Sequence, residues 1–356
     1  MSVLFLQNRP TRAGAQTSLA RLADSDPIRI LDPLVLVSKN GWLSEQLERQ
    51  GTPCFVVPFK SPRALASRIF GLKGWAKLAV RSIVTGSARV RSVIANDHQE
   101  CPLALALARE LGGLPVVSIL RSSGMSEGGF RKYGCERSTT MLAVGSELQK
   151  KVQQWSRRQV LRFDEGFLET EFGQSRPWLF QCPGRLLLIG SEAPGKGFTD
   201  FIEALRMFEQ KRPEFPGWEC DVTARLVPHL EAALAKPLRS RFRFLGRIDD
   251  FSQRIAEYSF AVHPSRAETF GMAPVEAMLA GTPTLVSTTG VAGELGLSAH
   301  WTFPAGNISA LCERLEYLWQ QWPFINLSEI QQEVRNRFHI KLTASVLSRQ
   351  INNLWA

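Results

Sequence analysis

The sequence of 356 residues lacks any apolar run near the roughly 20 residues that a membrane-spanning helix needs. Its six cysteines are scattered without a C-x-x-C pair, so the sequence indicates neither a zinc site nor a disulfide framework. The strand-like start, Met1 to Gln7, has no basic residue and no cleavage site, so we do not expect a signal peptide. These absences favour a cytoplasmic protein with reduced thiols.

Acidic residues are missing from a long stretch of the first half. Residues 1–165 carry 24 Lys and Arg against 13 Asp and Glu, a net charge of +11, whereas residues 166–356 carry 19 against 20. No Asp or Glu occurs between Arg49 and Asn96, where the basic residues are Arg49, Lys60, Arg63, Arg68, Lys73, Lys77, Arg81, Arg89 and Arg91.

Apolar residues between 65 and 83 follow helical spacing, with Lys73, Lys77 and Arg81 as a basic row. This pattern is typical of a helix on an anionic bilayer. We therefore predict that region 49–96 associates peripherally with the inner face of the membrane. The alternative is a solvated helix over the N-terminal core. No base-reading motif is present, and we do not expect a nucleic-acid partner.

Short apolar runs alternate with helical stretches along most of the chain. Runs at Val3–Leu6, Leu34–Val37 and Val116–Leu120 have the length of buried strands, and a second series begins at Arg185. Alternation of this kind predicts parallel, Rossmann-like sheets, and the length allows two domains. We therefore expect an α/β protein with domains at 1–170 and 171–339.

The most informative stretch runs from Ser259 to Glu294. It predicts a strand to His263, a loop, a helix from about Gly271 to Gly281, a strand at Thr284–Ser287 and a glycine-bearing loop, Thr288–Glu294. Free N–H groups at the helix start suit a phosphate; this start comprises Phe270, Gly271 and Met272. Glu268 and Glu276 flank it, so the pattern indicates a pocket for a polyhydroxylated phosphate ester.

The stretch resembles the donor-binding signature of retaining GT-B-fold glycosyltransferases, the glycogen-synthase-like glycosyl transferases group 1. The matching residues are Pro264, Ser265, Glu268, Phe270, Gly271, Glu276, Ala277, Gly281, Pro283, Gly290 and Glu294. The resemblance implies two Rossmann-like domains facing each other across a cleft, with a terminal helix, 340–356, crossing back to the first domain. It also implies that Glu276 binds the ribose hydroxyls and Glu268 the sugar hydroxyls.

A second segment, Gly190 to Gly197, allows two interpretations. Its G-x4-G-K-G spelling approaches a P-loop, but Gly197 lacks the hydroxyl that a P-loop uses for Mg²⁺. By resemblance to the glycosyltransferases, Gly190 and Lys196 belong to a segment that neutralises the donor diphosphate, with no metal or other cofactor required. Ser191 stands where that family has arginine, and Arg266 and Arg225 are the candidates to replace it.

The resemblance implies further site residues. Gly246 and Arg247 end a strand whose backbone contacts the base in the family, and Gly14 is what remains of a Gly-Gly loop. On the acceptor side, Arg121 stands where the family has histidine. It is followed by Ser122, and His98 lies on an earlier turn.

Together these features predict a retaining, metal-independent, hexosyltransferase-like enzyme. It would move a sugar from a UDP-, GDP- or ADP-sugar to a glycan or lipid-linked acceptor, as in lipopolysaccharide biosynthesis. A catalytically degenerate GT-B protein acting as a partner subunit is the main alternative, and a P-loop-like NTPase is another.

Overall fold

The computed structural model describes residues 2–58, 71, 74–81, 83, 89–171, 185–215, 218–234, 236–249, 251–297, 299–321 and 328–355. The chain divides into two units. The first comprises Met1–Phe167 and Phe338–Ala356, and the second comprises Leu168–Arg337.

The first unit is built on a seven-stranded sheet of order β3-β2-β1-β4-β5-β6-β7. All its strand pairs are parallel. Its strands are β1 (Ser2–Gln7), β2 (Pro33–Val37), β3 (Cys54–Val56), β4 (Val90–Ala95), β5 (Val116–Leu120), β6 (Thr140–Val144) and β7 (Val160–Phe163). The central strands are apolar on both faces because helices cover both sides of a parallel sheet.

The helices of the first unit mostly connect these strands. They are α1 (Gly14–Asp24), α2 (Asp26–Arg29), α3 (Trp42–Arg49), α4 (74–81), α5 (Cys101–Glu110), α6 (Glu127–Lys132) and α7 (Gly145–Trp155). The C-terminal helix, Ile340–Asn353, belongs to this unit as well. It contacts α2, with Lys341 Nζ 3.8 Å from Asp26 Oδ2, and Arg91 donates to Asn352 Oδ1 at 3.1 Å.

The second unit contains a six-stranded parallel sheet of order β10-β9-β8-β11-β12-β13. Its strands are β8 (Arg185–Leu188), β9 (Glu219–Val222), β10 (Phe242–Phe244), β11 (Phe260–His263), β12 (Thr284–Ser287) and β13 (Thr302–Phe303). Its helices are α8 (Phe198–Lys211), α9 (Pro228–Ala233), α10 (Lys236–Arg239), α11 (Phe251–Arg254), α12 (Met272–Leu279), α13 (Val291–Leu295), α14 (Ile308–Gln321) and α15 (Ser328–Phe338). The C-terminal helix of the first unit is then α16.

An aromatic cluster closes one face of the second sheet. The Phe208 ring stacks on Trp218 with centroids 5.2 Å apart, and Phe215 meets Trp218 edge-on at 4.4 Å. Trp319 of α14 packs against Phe208, which fixes α8 and α14 on the same face.

The order of the strands reverses direction at one place in each sheet. In the first sheet the reversal lies between β1 and β4, and in the second it lies between β8 and β11. Connections leave such neighbouring strands toward opposite faces, which opens a crevice at their carboxyl ends. Ligands of open α/β sheets bind in such crevices, so these two reversals are candidate ligand sites.

The prediction of two parallel, Rossmann-like α/β folds is confirmed. Two strands were not predicted, β7 and β13; β7 is half-exposed at its centre and β13 has two residues. The interpretation of Thr288–Glu294 as a loop was wrong in its second half, because Val291 begins α13 directly after Gly290.

The basic region lies partly outside the described residues, which omit Lys60, Arg63, Arg68 and Lys73. In α4, Ala76 and Ala79 are buried against the sheet, while Lys77, Leu78 and Arg81 are exposed. Within the residues that the structure describes, no helix combines the length and the apolar character needed to cross a membrane.

Candidate active site

The second unit gathers its polar residues at the carboxyl ends of β8 and β11. Lys196 lies on a short 3-10 turn, Pro194–Lys196, after β8. Glu268 lies on the loop after β11, and its Oε1 atom accepts a hydrogen bond from Lys196 Nζ. The loops that leave two neighbouring strands are thus joined by one ion pair.

His263, the last residue of β11, completes this group, and the sequence analysis did not select it. Its Nε2 atom lies 3.1 Å from Glu268 Oε1, and its Nδ1 atom lies 3.1 Å from the carbonyl oxygen of Ile189. Burial raises the pKa of Glu268, but the hydrogen bonds and charges of His263 and Lys196 outweigh burial and lower that pKa to about 2. Glu268 is therefore ionised throughout the neutral range.

Two glycines allow the loops to approach this closely. Gly197 has φ +70°, and a Cβ atom there would lie 1.9 Å from the carbonyl oxygen of Pro264. Gly290 has φ +56°, and its Cβ would lie 2.6 Å from the Phe270 carbonyl oxygen and 2.9 Å from Glu268 Cβ. Both positions require glycine for their conformation and for the space around them.

The N-terminus of α12 adjoins this group. Gly271 caps the helix with φ +86°, and Met272 is its first residue. Phe270 is buried, and its carbonyl oxygen accepts a hydrogen bond from Val291 N at 2.6 Å. Glu276 follows one turn into α12 and is half-buried.

The arginines considered as replacements at Ser191 have partners of their own. Arg266 forms two hydrogen bonds with Asp200, at 2.6 and 2.8 Å, which raise the pKa of Arg266 further. Arg225 donates from N and Nε to Glu192 Oε1 and is 83% exposed. The Ser191 hydroxyl accepts a long hydrogen bond from Ala193 N, 3.4 Å.

The remaining donor-side residues lie on neighbouring loops. Gly246 has φ +66° and donates its N–H to the Ala224 carbonyl at 3.0 Å, just beyond β10. Arg247 is half-exposed, with Nε 3.8 Å from Asp249 Oδ1. Gly190 donates its N–H to Thr223 Oγ1 at 2.8 Å, which joins the loops after β8 and β9.

The acceptor-side predictions fall in the first unit, where Arg121 is engaged in a buried network. Its Nε donates to the Asn96 carbonyl at 2.9 Å, one amino group donates to Asn96 Oδ1 at 3.1 Å, and the other pairs with Glu165. The Arg121 and Glu165 side chains are 6% and 5% exposed. Asn96 in turn donates to Gln7 at the end of β1, and Ser18 donates to Glu165.

His98 lies at the edge of this network on a 3-10 turn. Its Nδ1 atom is 2.8 Å from Asp97 Oδ1, and its ring meets Tyr133 edge-on at 5.1 Å. Ser122 follows Arg121 and is half-buried, and Gly14 is the exposed first residue of α1. The structure thus brings His98 and Arg121 to one edge of the first sheet, with Asp97 between them.

The same edge holds a buried acid that the sequence analysis did not find. Glu100 Oε1 accepts from Asn8 N at 3.0 Å, and Oε2 is buried without a partner. Burial, followed by the charge of Asp97, raises the pKa of Glu100 to about 8. A neutral acid in a sheet crevice gives no signal in the sequence.

No cluster of His, Cys, Asp and Glu suited to a metal ion occurs among the residues that the structure describes. The prediction that no metal or cofactor is required stays a prediction.

Two parallel-stranded Rossmann-like units, the second with an ionic group at its strand reversal, define the GT-B class of fold. Residues 183–321 match the family model of the glycosyl transferases group 1, so the second unit carries a domain of that family and the resemblance is confirmed there. The chain is also 28% identical over 116 residues to an uncharacterized glycosyltransferase of Methanocaldococcus jannaschii. That match covers 32% of this chain and 31% of the relative.

Solved structures resemble this chain over its whole length. Anabaena HepE in complex with UDP and glucose superposes with a TM-score of 0.80 and 21% identity, covering 99% of both chains. The apo form of the lipopolysaccharide outer core galactosyltransferase WaaB gives a TM-score of 0.72 at 14% identity, covering 100% of this chain and 99% of the other. At these identities the likeness establishes the fold.

Proposed function

We propose that this chain is a retaining glycosyltransferase that transfers a sugar from a nucleotide-sugar donor to a hydroxyl group. The observation that carries the proposal is the Lys196–Glu268–His263 group at the β8–β11 reversal, beside the N-terminus of α12. A cation, an ionised carboxylate and a helix N-terminus at one crevice suit a sugar diphosphate. The match of residues 183–321 to the family model of the glycosyl transferases group 1 supports the same reaction class.

Each residue has a role that follows from its chemistry. Lys196 offsets the negative charge that develops on the leaving diphosphate, as preorganised cations do in transition states. Glu268, held ionised, accepts hydrogen bonds from the sugar hydroxyls. Glu276, on α12, binds the two ribose hydroxyls, since a carboxylate accepts from a diol with both oxygens.

Donor binding is the first experiment. A ligand at about 100 times its dissociation constant stabilises the folded state by roughly 2.7 kcal/mol, which thermal melting detects. We would compare UDP, GDP and ADP, and we expect UDP to stabilise because the Anabaena relative was solved with UDP. Glu276→Ala should abolish the stabilisation, whereas Glu203→Ala, on the exposed Glu203–Arg206 pair of α8, should retain it.

Retention of the anomeric configuration is tested on the product. The proton coupling at the new anomeric centre, compared with that of the donor, gives the stereochemistry directly. A product of opposite configuration would contradict a retaining mechanism while leaving the donor site intact.

We further propose a glycan or lipid-linked acceptor of the cell-envelope type and attachment to an anionic membrane surface. Exposed Lys77, Leu78 and Arg81 on α4 support this proposal, because they combine positive charge with an apolar side chain. The protein should sediment with vesicles that contain anionic lipid and less with neutral vesicles. Lys77→Glu with Arg81→Glu should reduce that difference, and equal recovery with both vesicles would refute attachment.

A partner subunit without catalysis is the second candidate, and Ser191 favours it, since the expected cation is absent there. Such a protein would show neither stabilisation nor turnover with any nucleotide sugar. Turnover with one donor would exclude it.

A further inference from the structure

His263 is placed so that both of its ring nitrogens face hydrogen-bond acceptors. Nδ1 lies 3.1 Å from the Ile189 carbonyl oxygen, which can only accept, so Nδ1 must carry a proton. Nε2 lies 3.1 Å from Glu268 Oε1. The proton in this second contact belongs either to the imidazole or to the carboxyl group.

The position of Lys196 shows whether the imidazole or the carboxyl group holds this proton. Its ammonium group donates to the same oxygen, Glu268 Oε1, that faces His263 Nε2. A carboxylate oxygen accepts from both, whereas a protonated Oε1 would direct its hydrogen at one neighbour and weaken the ammonium contact. The geometry therefore favours an ionised Glu268 between two cations, in agreement with its lowered pKa.

The second proton on His263 changes the net charge of the site. Glu268 cancels the charge of Lys196, and the nearby arginines are cancelled as well, Arg266 by Asp200 and Arg225 by Glu192. With a neutral imidazole the Lys196–Glu268–His263 group would carry no net charge, which suits a diphosphate poorly. With an imidazolium this group carries one net positive charge, and Glu276 of α12 lies outside it.

We infer that His263 is a positioning residue whose imidazolium, held between Ile189 and Glu268, supplies the positive charge that position 191 lacks. This inference rests on the proposed function, because it assigns His263 to the recognition of the donor diphosphate. His263 acts through Glu268, which it orients, and through its field at the crevice.

The surroundings of His263 contain few other charges that could mimic this behaviour. Its side chain is 7% exposed. In the described part of the chain, the charged groups near β11 include Lys196 and Glu268 in the group itself, Arg266 with Asp200, Glu276 on α12, and Glu294 on α13, 3.8 Å from Arg337. Arg185 begins the neighbouring strand β8 and pairs with Asp221, at the end of β8 opposite to the one beside His263. His263 is the imidazole of this set, so the loss of its proton can be distinguished from changes at the carboxylates, the amine and the guanidinium groups.

The protonation state can be observed without any ligand. Long-range ¹H–¹⁵N spectra of the imidazole nitrogens distinguish doubly protonated from neutral rings, and His263→Gln assigns the signal among the five histidines. We expect both nitrogens of His263 to be protonated at pH 7. A neutral ring at pH 7 would overturn the inference whatever the protein binds.

The second readout is the affinity for UDP-glucose, measured by calorimetry between pH 5.5 and 9. This ligand has no phosphate monoester that titrates in the range. Wild-type affinity should be greatest where the His263 imidazolium is present and lower in more alkaline solution, whereas His263→Gln should bind about tenfold more weakly at pH 6 and show a flat profile. Ser191→Arg, added to His263→Gln, should restore affinity at every pH.

A matched control is His300→Gln, since His300 is an exposed histidine of the same unit that stacks on Tyr317. It should retain the wild-type pH profile. Binding by His263→Gln with wild-type affinity and slope would overturn the inference and leave the glycosyltransferase proposal standing. If the wild-type protein bound neither UDP-glucose nor another nucleotide sugar, the proposed donor site itself would fail.

Discussion

The strand reversals of the two sheets occupy the same place in the fold and are filled in opposite ways. In the first unit, Arg121 and Glu165 are buried as a pair and Asn96 occupies the remaining donors of Arg121. In the second unit, Lys196 and Glu268 pair at a crevice where their side chains stay 29% and 16% exposed. In the first unit the charged side chains at the reversal are buried against each other. In the second unit they remain accessible to solvent.

This difference indicates that the ion pair of the first unit stabilises the fold, whereas the ion pair of the second unit can bind a ligand. A buried ion pair that is fully hydrogen-bonded holds distant segments together, here the loop after β5 and the segment after β7. A partly exposed pair with an additional cation can exchange contacts with a ligand. Changes to the Arg121–Glu165 pair should therefore affect mainly stability, and changes to the Lys196–Glu268 pair should affect mainly activity.

The largest effect on stability should come from Arg121→Met. Removing the guanidinium leaves Glu165 buried without its charge partner, and breaking a buried pair from one side costs about 3–5 kcal/mol. Urea unfolding, followed by circular dichroism, measures this loss. Arg131→Met is the matched control, because its pair with Glu127 is about half exposed and should cost below about 0.5 kcal/mol.

The double variant Arg121→Met, Glu165→Gln should recover part of the loss, because it removes the unpaired charge. If Arg121→Met were as stable as Arg131→Met but lost activity, Arg121 would belong to the acceptor site, and the division between the two reversals would not hold.

The largest effect on activity should come from Glu268→Gln. The amide keeps the shape but loses the charge that orders Lys196 and His263, so we expect turnover of the donor to fall about 10²-fold or more. Steady-state kinetics with a nucleotide sugar measures it, and thermal melting should show a folded protein. Glu203→Gln, which alters the exposed pair with Arg206 on α8, serves as the control and should keep its activity.

How much of this could be predicted depends on how far apart in the chain the partners lie. In the second unit, Glu268, Phe270, Gly271 and Glu276 fall within one strand–loop–helix stretch, so spacing alone indicated a phosphate crevice. Lys196 was found through its glycine-rich segment. His263 was missed because a histidine ending an apolar strand looks like a core residue; only the structure shows what its two nitrogens face.

In the first unit the sequence predicted the sheet but little of its polar edge. Arg121 and Glu165 are 44 residues apart, and Asn96 lies 25 residues before Arg121. No local pattern links them, since the topology of the sheet brings them together. The buried acid Glu100 was missed for the same reason, because its environment consists of backbone and side chains from the end of β1.

Glu100→Gln should change how stability depends on pH. The folded-state pKa of Glu100 is raised from 4.5 to about 8, so the folded protein binds this proton more tightly than the unfolded chain. Glu100 therefore leaves the free energy of unfolding unchanged below about pH 4.5 and lowers it as pH rises toward 8. Glu100→Gln should melt several degrees higher than wild type at pH 8.5 and near the same temperature at pH 5. An equal difference at both pH values would show that Glu100 does not titrate in this range.

The smallest predicted effect concerns the turn that carries Lys196. Gly197→Ala should destabilise the second unit by about 1–3 kcal/mol, because φ is +70° and the new Cβ would meet the Pro264 carbonyl oxygen at 1.9 Å. Gly195→Ala is its control two residues away, where a Cβ meets nothing within 4 Å and stability should stay within about 0.5 kcal/mol. Since relief of the contact would separate the β8 and β11 loops, Gly197→Ala should also weaken nucleotide-sugar binding. A stable Gly197→Ala with weakened binding would mean that the turn yields and the ion pair moves with it. Equal stability and equal binding in both variants would show that the close approach of these loops is not needed to hold Lys196 against Glu268.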